Sequence, residues 1–123
     1  MDKKGKLLVV EDDKDTLAAL CAMLDHMGYD VLPFSDSSEV IDKIQHEKLD
    51  LALLDIMMLK MNGYELLQEI KKIQQFADLP IIMVTAKDQN SEVLEGYQHG
   101  ADYYITKPFT SKQLEYGIRL FLP

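Results

Sequence analysis

Polar side chains stand directly after four of the chain's short apolar runs, where predicted strands end. They are Glu11, Asp12 and Asp13 after the first run, Asp55 after the third, Thr85 after the fourth, and Lys107 after the fifth. A carboxylate is costly in apolar surroundings unless a partner or a metal ion accepts it. Because Asp55 has apolar neighbours on both sides, we expect it to point into a polar site at the end of its strand.

The residue types in this set suit chemistry on a phosphoryl group. Carboxylates that are brought together repel one another unless a cation joins them. The hard oxygens of Glu11, Asp12 and Asp55 suit Mg2+, which keeps several waters and recruits phosphate oxygens. Lys107 can pair with Asp55 or with a phosphate on it, and Thr85 offers a hydroxyl to a phosphoryl oxygen. Since an aspartate can attack phosphorus, the set indicates phosphorylation of Asp55.

Each part of the set also has a plain structural explanation. The run Glu11-Asp12-Asp13 alone is typical of a solvated turn that begins a helix. Thr85 alone is typical of a helix cap or turn, and Lys107-Pro108 of a loop, although proline after a strand favours a cis bond. The functional interpretation depends on all of these parts occurring together, each at a strand end.

The elements that must position these residues follow from the alternation of apolar runs and helix-period segments. The predicted strands cover residues 7–10, 31–32, 51–54, 81–84 and 103–105. The apolar positions of the five predicted helices lie within 17–24, 40–44, 66–73, 93–97 and 114–121. This pattern predicts an α/β fold, with a parallel sheet covered by helices on both faces. In such a sheet the carboxyl ends of the strands share one edge, where the polar residues would converge.

Length and composition fit one domain, residues 1–123. The formal net charge of -8 disfavours direct nucleic-acid binding, which needs a basic surface. The single cysteine, Cys21, excludes an internal disulfide. Because no apolar stretch approaches the length of a membrane span, we expect a cytoplasmic protein without a membrane partner.

Four segments, LLVVEDDKD, LALLDIMMLKMNGYEL, PIIMVTAKD and GADYYITKPF, resemble in order and interval the receiver domain of two-component response regulators, including the chemotaxis regulators. The resemblance covers essentially the whole chain. It implies a doubly wound five-stranded parallel sheet in the order 2-1-3-4-5 with five helices, the flavodoxin-like arrangement. It also implies a signalling switch that receives a phosphoryl group on Asp55 from a histidine kinase or a histidine phosphotransfer protein. Such a domain is not an enzyme beyond its own phosphorylation and dephosphorylation.

Matching positions carry the family's metal ligands over to this chain. The resemblance implies that Asp12 holds Mg2+ directly and Glu11 through water, while Asp55 and the backbone carbonyl of Met57 complete the protein ligands. Asp13 falls one place beyond the acidic pair and is not carried over.

The resemblance also implies a switch and a phosphate contact. Thr85 matches the switch hydroxyl, Lys107 the lysine that contacts the phosphate, and Tyr104 the aromatic residue that turns inward with Thr85 on activation. Pro108 is expected to follow a cis bond. Phosphorylation would favour an active conformation, which regulates an output domain or a partner.

Some positions depart from the family pattern. Many members have Pro-Gly where this chain has Leu59-Lys60. Met57 and Lys87 occupy the positions that modulate hydrolysis of the aspartyl phosphate, two residues after Asp55 and Thr85. Because a methionine side chain cannot orient a water by hydrogen bonding, we predict slow loss of the phosphoryl group.

The resemblance suggests partners without identifying them. Family members commonly dimerise through the fourth helix, fifth strand and fifth helix, which is one expectation for this chain. The last predicted helix closes at Phe121-Leu122-Pro123, so either the chain stands alone or an output domain lies beyond Pro123. The cognate kinase and the regulated process stay open.

Three competing functions follow from other readings of the same residues. A phosphatase of the haloacid dehalogenase-like group needs a second carboxylate where Met57 stands. A flavin binder of the flavodoxin type needs a phosphate loop where Glu11-Asp12-Asp13 would repel phosphate. A receiver-like interaction module that works without phosphate stays the alternative hypothesis. It is opposed by four retained residues, Asp12, Asp55, Thr85 and Lys107.

Overall fold

The apolar runs of the sequence form the five strands of one parallel sheet. The computed structural model describes residues 3–86 and 100–123. The strands are β1 Lys6–Val10, β2 Asp30–Phe34, β3 Leu51–Asp55, β4 Ile81–Ala86 and β5 Tyr103–Lys107. The helices of the described residues are α1 Lys14–His26, α2 Val40–Lys43, α3 Gly63–Lys72 and α4 Ser111–Arg119. The fourth predicted helix, with Val93, Leu94 and Tyr97, lies outside the described residues, so α4 corresponds to the fifth prediction.

The strand order is β2-β1-β3-β4-β5 and every pair is parallel, which confirms the predicted fold. The register pairs Val10 with Leu54, Asp55 with Val84, and Thr85 with Thr106. These pairs lie at the carboxyl ends of four neighbouring strands. The sheet therefore brings the polar residues of the sequence to one edge.

Alternation along the strands divides the core into two layers. On the face covered by α2 and α3, the buried strand residues include Leu8, Leu54 and Met83. On the face covered by α1 and α4, they include Leu7 and Leu53. All five residues of β3 are buried, because this strand is central and packed on both faces.

The strands extend further than their apolar runs. The predicted strands stopped at residues 54, 84 and 105, whereas β3 includes Asp55, β4 includes Thr85 and β5 includes Lys107. The sequence boundaries were too short because polarity was taken as the end of a strand, while the ladder of backbone hydrogen bonds continues through these residues. The backbones of Asp55, Thr85 and Lys107 are consequently held by the sheet itself.

Side-chain caps begin α1, α3 and α4. Asp13 accepts a hydrogen bond from the Thr16 backbone N–H at 3.1 Å, which confirms that the acidic run begins α1. α3 and α4 begin with capping boxes, formed by Asn62 with Glu65 and by Thr110 with Gln113. The second helix is shorter than its apolar positions suggested, because it comprises four residues after the 3-10 turn Ser37–Glu39.

Two helix glycines allow close packing. At Gly63 an added Cβ would lie 2.4 Å from the Asp55 carbonyl oxygen, so α3 can begin directly behind the end of β3 only with glycine there. At Gly117 an added Cβ would lie 3.1 Å from the Tyr103 ring, so glycine lets α4 pack closely on β5. No described helix is both long enough and apolar enough to cross a membrane.

Candidate functional site

Asp55 ends β3 with its residue 7% exposed, at the edge predicted from the sequence. Burial and then the neighbouring Glu11 raise the pKa of Asp55, which reaches about 7. The charge of Lys107 and the backbone N–H of Met57 oppose that rise. The Asp55 carboxylate is therefore held in a place where its negative charge is only partly compensated by the protein.

The Lys107 side chain lies closer to Glu11 than to Asp55. Its Nζ lies 2.8 Å from Glu11 Oε1 and 3.6 Å from Asp55 Oδ2. Burial lowers the pKa of Lys107, but hydrogen bonding to Glu11 and the charge of both carboxylates outweigh burial and raise it. Lys107 is consequently a fixed positive charge that Asp55 and Glu11 share.

Three carboxylates form a group that could hold a cation. Ligand oxygens of Glu11, Asp12 and Asp55 all lie within 4.8 Å of one another, with Glu11 and Asp55 buried and Asp12 partly exposed. Asp12 Oδ2 also accepts the backbone N–H of Leu59 at 3.2 Å. A hard divalent cation fits this donor set, because it consists of oxygens and because neutralising it removes the repulsion that raises the Asp55 pKa. The Met57 side chain is 60% exposed, so it lies at the rim of the group.

Thr85 and Tyr104 lie beside the carboxylates on neighbouring strands. Thr85 is 1% exposed in β4, and Tyr104 in β5 is partly buried against the core layer under α2 and α3. Strand alternation places both side chains on that same face, because Tyr104 is paired with Met83, two residues before Thr85. The Tyr104 hydroxyl lies 3.4 Å from the hydroxyl of Tyr64, which begins the buried face of α3.

The structure brings all seven predicted site residues to one region and adds residues that the sequence did not single out. The added residues are Asp36, Ser37, Lys60 and Tyr64. Asp36 caps the 3-10 turn by accepting the Ser38 N–H. Contacts between separate loops leave no local pattern, so the second role of Asp36 and Ser37 was not visible. The Lys107–Pro108 bond is cis, as expected. Lys87 lies outside the described residues.

A family model described as "Response regulator receiver domain" matches residues 7–119. The chain belongs to this family. The family match therefore agrees with the fold described above. This membership confirms the resemblance, and it identifies the chain as a two-component signalling domain.

Curated relatives of the receiver domain are longer proteins. The chain is 38% identical over 117 residues to the alkaline phosphatase synthesis transcriptional regulatory protein PhoP of Bacillus subtilis, covering 95% of this chain and 48% of PhoP. It is 40% identical over 120 residues to the probable transcriptional regulator ycf27 of Porphyridium aerugineum, covering 98% of this chain and 49% of that protein. The chain thus spans about half the length of these relatives.

Solved structures share the receiver fold closely. A putative response regulator from Chloroflexus aurantiacus superimposes with a TM-score of 0.91 at 29% identity, covering 96% of this chain and 97% of that one. The receiver domain of the sensor histidine kinase PA1611 from Pseudomonas aeruginosa, solved with a magnesium ion in its active-site cleft, has a TM-score of 0.88 at 25% identity. It covers 96% of this chain and 97% of that one.

Proposed function

We propose that this receiver domain, residues 1–123, is switched by phosphorylation of Asp55. The observation that carries the proposal is the position of Asp55, nearly buried at the edge of the sheet between Glu11, Asp12 and Lys107. A carboxylate whose pKa is raised by burial and by a second carboxylate beside it is typical of a functional site. A nucleophile that needs a cation to stay ionised accounts for all of these features.

Glu11, Asp12, Asp55 and the backbone carbonyl of Met57 would hold Mg2+ in this domain. When bound, the ion supplies positive charge that offsets the carboxylates and the charge on a transferring phosphoryl group. The magnesium named in the cleft of the Pseudomonas receiver domain supports the same ion here. Lys107 lies close to two of these carboxylates, with its Nζ 2.8 Å from Glu11 Oε1 and 3.6 Å from Asp55 Oδ2.

Phosphorylation would form a bond between an Asp55 carboxylate oxygen and phosphorus while the bond from phosphorus to the donor breaks. Asp55 must be ionised to attack, so its neighbours have to overcome the burial that favours its protonated form. Lys107 Nζ lies 3.6 Å from Asp55 Oδ2, so it can move toward the negative charge of the added phosphoryl group. Its contact with Glu11 would weaken as it moves. The donor is a histidine kinase or a histidine phosphotransfer protein.

The phosphoryl group would change the conformation through Thr85 and Tyr104. Both lie on one face of neighbouring strands, with Thr85 at the carboxyl end next to Asp55. A hydroxyl that binds the phosphoryl group in only one conformation favours that conformation by the difference in contact free energy. Tyr104 would follow Thr85 and change the surface beside β5.

The switched surface would contact other proteins. Tyr116 and Leu120 on and after α4 are 62% and 49% exposed, and they offer apolar contacts for a homodimer or an output domain. The relatives are named transcriptional regulators, so we propose an output of that kind, in the same chain or a separate one. With a net charge of -8, the receiver domain itself would not bind nucleic acid. A cytoplasmic location follows from this role.

The proposal is tested by intact-mass spectrometry after incubation with Mg2+ and acetyl phosphate. We expect wild type to gain one phosphoryl group, and Asp55→Asn to gain none. Chelation of Mg2+ should abolish the gain, and a second receiver protein known to react with acetyl phosphate controls for the donor. No gain by wild type under conditions that modify the control would favour the phosphate-independent interaction module instead.

A further inference from the structure

Two contacts hold the loop between β3 and α3, residues 56–62, against the turn after β2. Lys60 Nζ lies 2.9 Å from Asp36 Oδ2, and these side chains are 67% and 26% exposed. The Met61 backbone N–H donates to Ser37 Oγ at 3.1 Å, and Ser37 is 3% exposed. An exposed ion pair alone stabilises little, but here a buried hydroxyl fixes the adjacent residue of the same loop. The two contacts together hold the loop in one position.

Asp36 is a rigid partner for Lys60. Its Oδ1 accepts the Ser38 backbone N–H at 3.0 Å and the Ser38 hydroxyl at 2.6 Å, while Oδ2 faces Lys60. The Ser38 hydroxyl and then Lys60 lower the pKa of Asp36 to about 2, so this carboxylate is ionised at neutral pH. Lys60 therefore meets a charge whose orientation is already fixed by the 3-10 turn.

The held loop reaches the carboxylate group through Leu59. Its backbone N–H, one residue before Lys60, donates to Asp12 Oδ2 at 3.2 Å. A carboxylate has a second oxygen, so Asp12 can accept this hydrogen bond and still offer an oxygen to a cation. Hydrogen bonds from outer groups orient metal ligands and raise metal affinity. The position of the loop thus affects the orientation of the Asp12 carboxylate.

We propose that Lys60, Asp36 and Ser37 are positioning residues for the Mg2+ site, because they keep the Leu59 N–H against Asp12. The inference rests on the proposed function, since it takes Asp12 as a magnesium ligand.

Magnesium affinity of Lys60→Ala separates this role from simple electrostatics. Removing a positive charge beside a cation site should strengthen binding if only the electric field mattered. If the Lys60–Asp36 ion pair holds the loop in place, its loss should instead weaken magnesium binding, by about threefold for an ion pair as exposed as this one. Titration calorimetry with MgCl2 measures the magnesium affinity of wild type and of Lys60→Ala, and the direction of the change separates the two explanations. Lys72→Ala is the charge-matched control, because it breaks the exposed Lys72–Glu69 pair on α3 and should leave the affinity unchanged.

Further variants test the geometry. We expect Ser37→Ala, which changes no charge, also to weaken magnesium binding, and Lys60→Arg to restore most of the affinity. Amide hydrogen exchange at Leu59 without metal should be faster in Lys60→Ala than in wild type. Equal or tighter magnesium binding by Lys60→Ala, with wild-type exchange at Leu59, would overturn the inference alone. Failure of wild type to bind magnesium at all would overturn the proposed function as well.

Discussion

The charge on Asp55 is set by opposing effects within a few ångströms. Burial and Glu11 favour its protonated form, whereas Lys107 and the Met57 N–H favour its ionised form, and the balance raises the pKa to about 7. Glu11 itself takes the shorter contact with Lys107, which leaves less positive charge for Asp55. A cation that joins the carboxylates would reverse this balance. The reactivity of Asp55 should therefore depend on metal more than on any single side chain.

Without metal, Asp55 should make stability fall as pH rises. Its ordinary pKa is 3.8 and its pKa in the fold is about 7, so the folded protein binds more protons than the unfolded chain between these values. The free energy of unfolding of wild type in chelator should thus decrease from pH 4 to pH 7 and stay reduced above it. Asp55→Asn should be more stable at pH 8 by on the order of 2 to 4 kcal/mol.

Urea unfolding in chelator at pH 5 and pH 8 measures this difference for both proteins. The advantage of Asp55→Asn should shrink at the lower pH, where wild-type Asp55 is largely protonated. A constant difference at the two pH values would show that the substitution acts through packing and not through charge.

The side chain of Met57 should control how long the phosphoryl group survives. It is exposed at the rim of the site, two residues after Asp55, and it cannot hydrogen-bond an attacking water. Met57→Asn supplies such a group and should shorten the aspartyl-phosphate lifetime by about tenfold, the effect of one positioned water contact of roughly 1.4 kcal/mol. Loss of the phosphoryl mass over time measures the rate.

Met57→Leu, which alters the side chain without adding a hydrogen-bonding group, is the matched comparison. It should hydrolyse more slowly than Met57→Asn. A wild-type lifetime of only seconds would contradict the prediction of slow dephosphorylation.

At the scale of elements, α3 is fixed to the end of β3 by its first residue. The Gly63 N–H donates to the Ile56 carbonyl at 2.9 Å, and a Cβ on Gly63 would overlap the backbone at Asp55 and Ile56. The Asn62–Glu65 capping box then closes the first turn of the helix. The site loop therefore runs between two fixed ends, and its middle is held by Lys60 and Met61.

Gly63→Ala should consequently be destabilising. The new methyl group would meet backbone atoms 2.4 and 2.9 Å away, which cannot shift without moving β3 or α3. We expect a loss of about 1 to 3 kcal/mol in the free energy of unfolding, typical of overpacking, measured by urea unfolding. Gly5→Ala is the matched control with a smaller expected loss, since its methyl group would meet the movable Asp50 side chain at 3.1 Å.

At the scale of the whole molecule, metal binding should stabilise the fold. A ligand that binds only the folded state raises the free energy of unfolding by about 1.4 kcal/mol at ten times its Kd. For a chain of 123 residues that increment corresponds to a rise in Tm of roughly 3 to 6 °C. Calorimetry with increasing MgCl2 should show this rise for wild type. For Asp12→Asn it should appear only at higher concentrations.

Potassium chloride at the same ionic strength separates site binding from salt screening, because a monovalent cation supplies the screening without the divalent charge that suits the carboxylate group. A Tm that rises equally for wild type and Asp12→Asn would contradict a site built on that carboxylate.

Substitutions on the exposed face of α4 should change the self-association of the domain. Tyr116 is 62% exposed, and placing a charge there should oppose burial against a second copy. We expect sedimentation equilibrium with Mg2+ and beryllium fluoride to show dimers of wild type, and Tyr116→Glu to weaken them by about tenfold. The exposed Lys112→Glu on the same helix is a comparison for added negative charge. Monomers of wild type under these conditions would count against the homodimer.

Local patterns in the sequence determined the elements and the set of reactive residues. Apolar runs predicted all five strands, most clearly the central ones, because strands buried on both faces carry apolar side chains at successive positions, as at residues 51–54 of β3. Asp13 was recognised as a helix start because a cap acts on residues three positions away. The order of the strands and the backbone carbonyl of Met57 as a metal ligand came from the resemblance, since neither leaves a local pattern.

Tertiary structure alone decided which of these residues touch. Lys107 and Glu11 are 96 positions apart, and only the register of the sheet shows that Glu11 takes the shorter contact. Lys60 and Asp36 come from separate loops, and the need for glycine at 63 arises from a backbone that packs behind it. Each of these facts depends on distances between elements. Such distances are set by packing, which no local pattern of residues encodes.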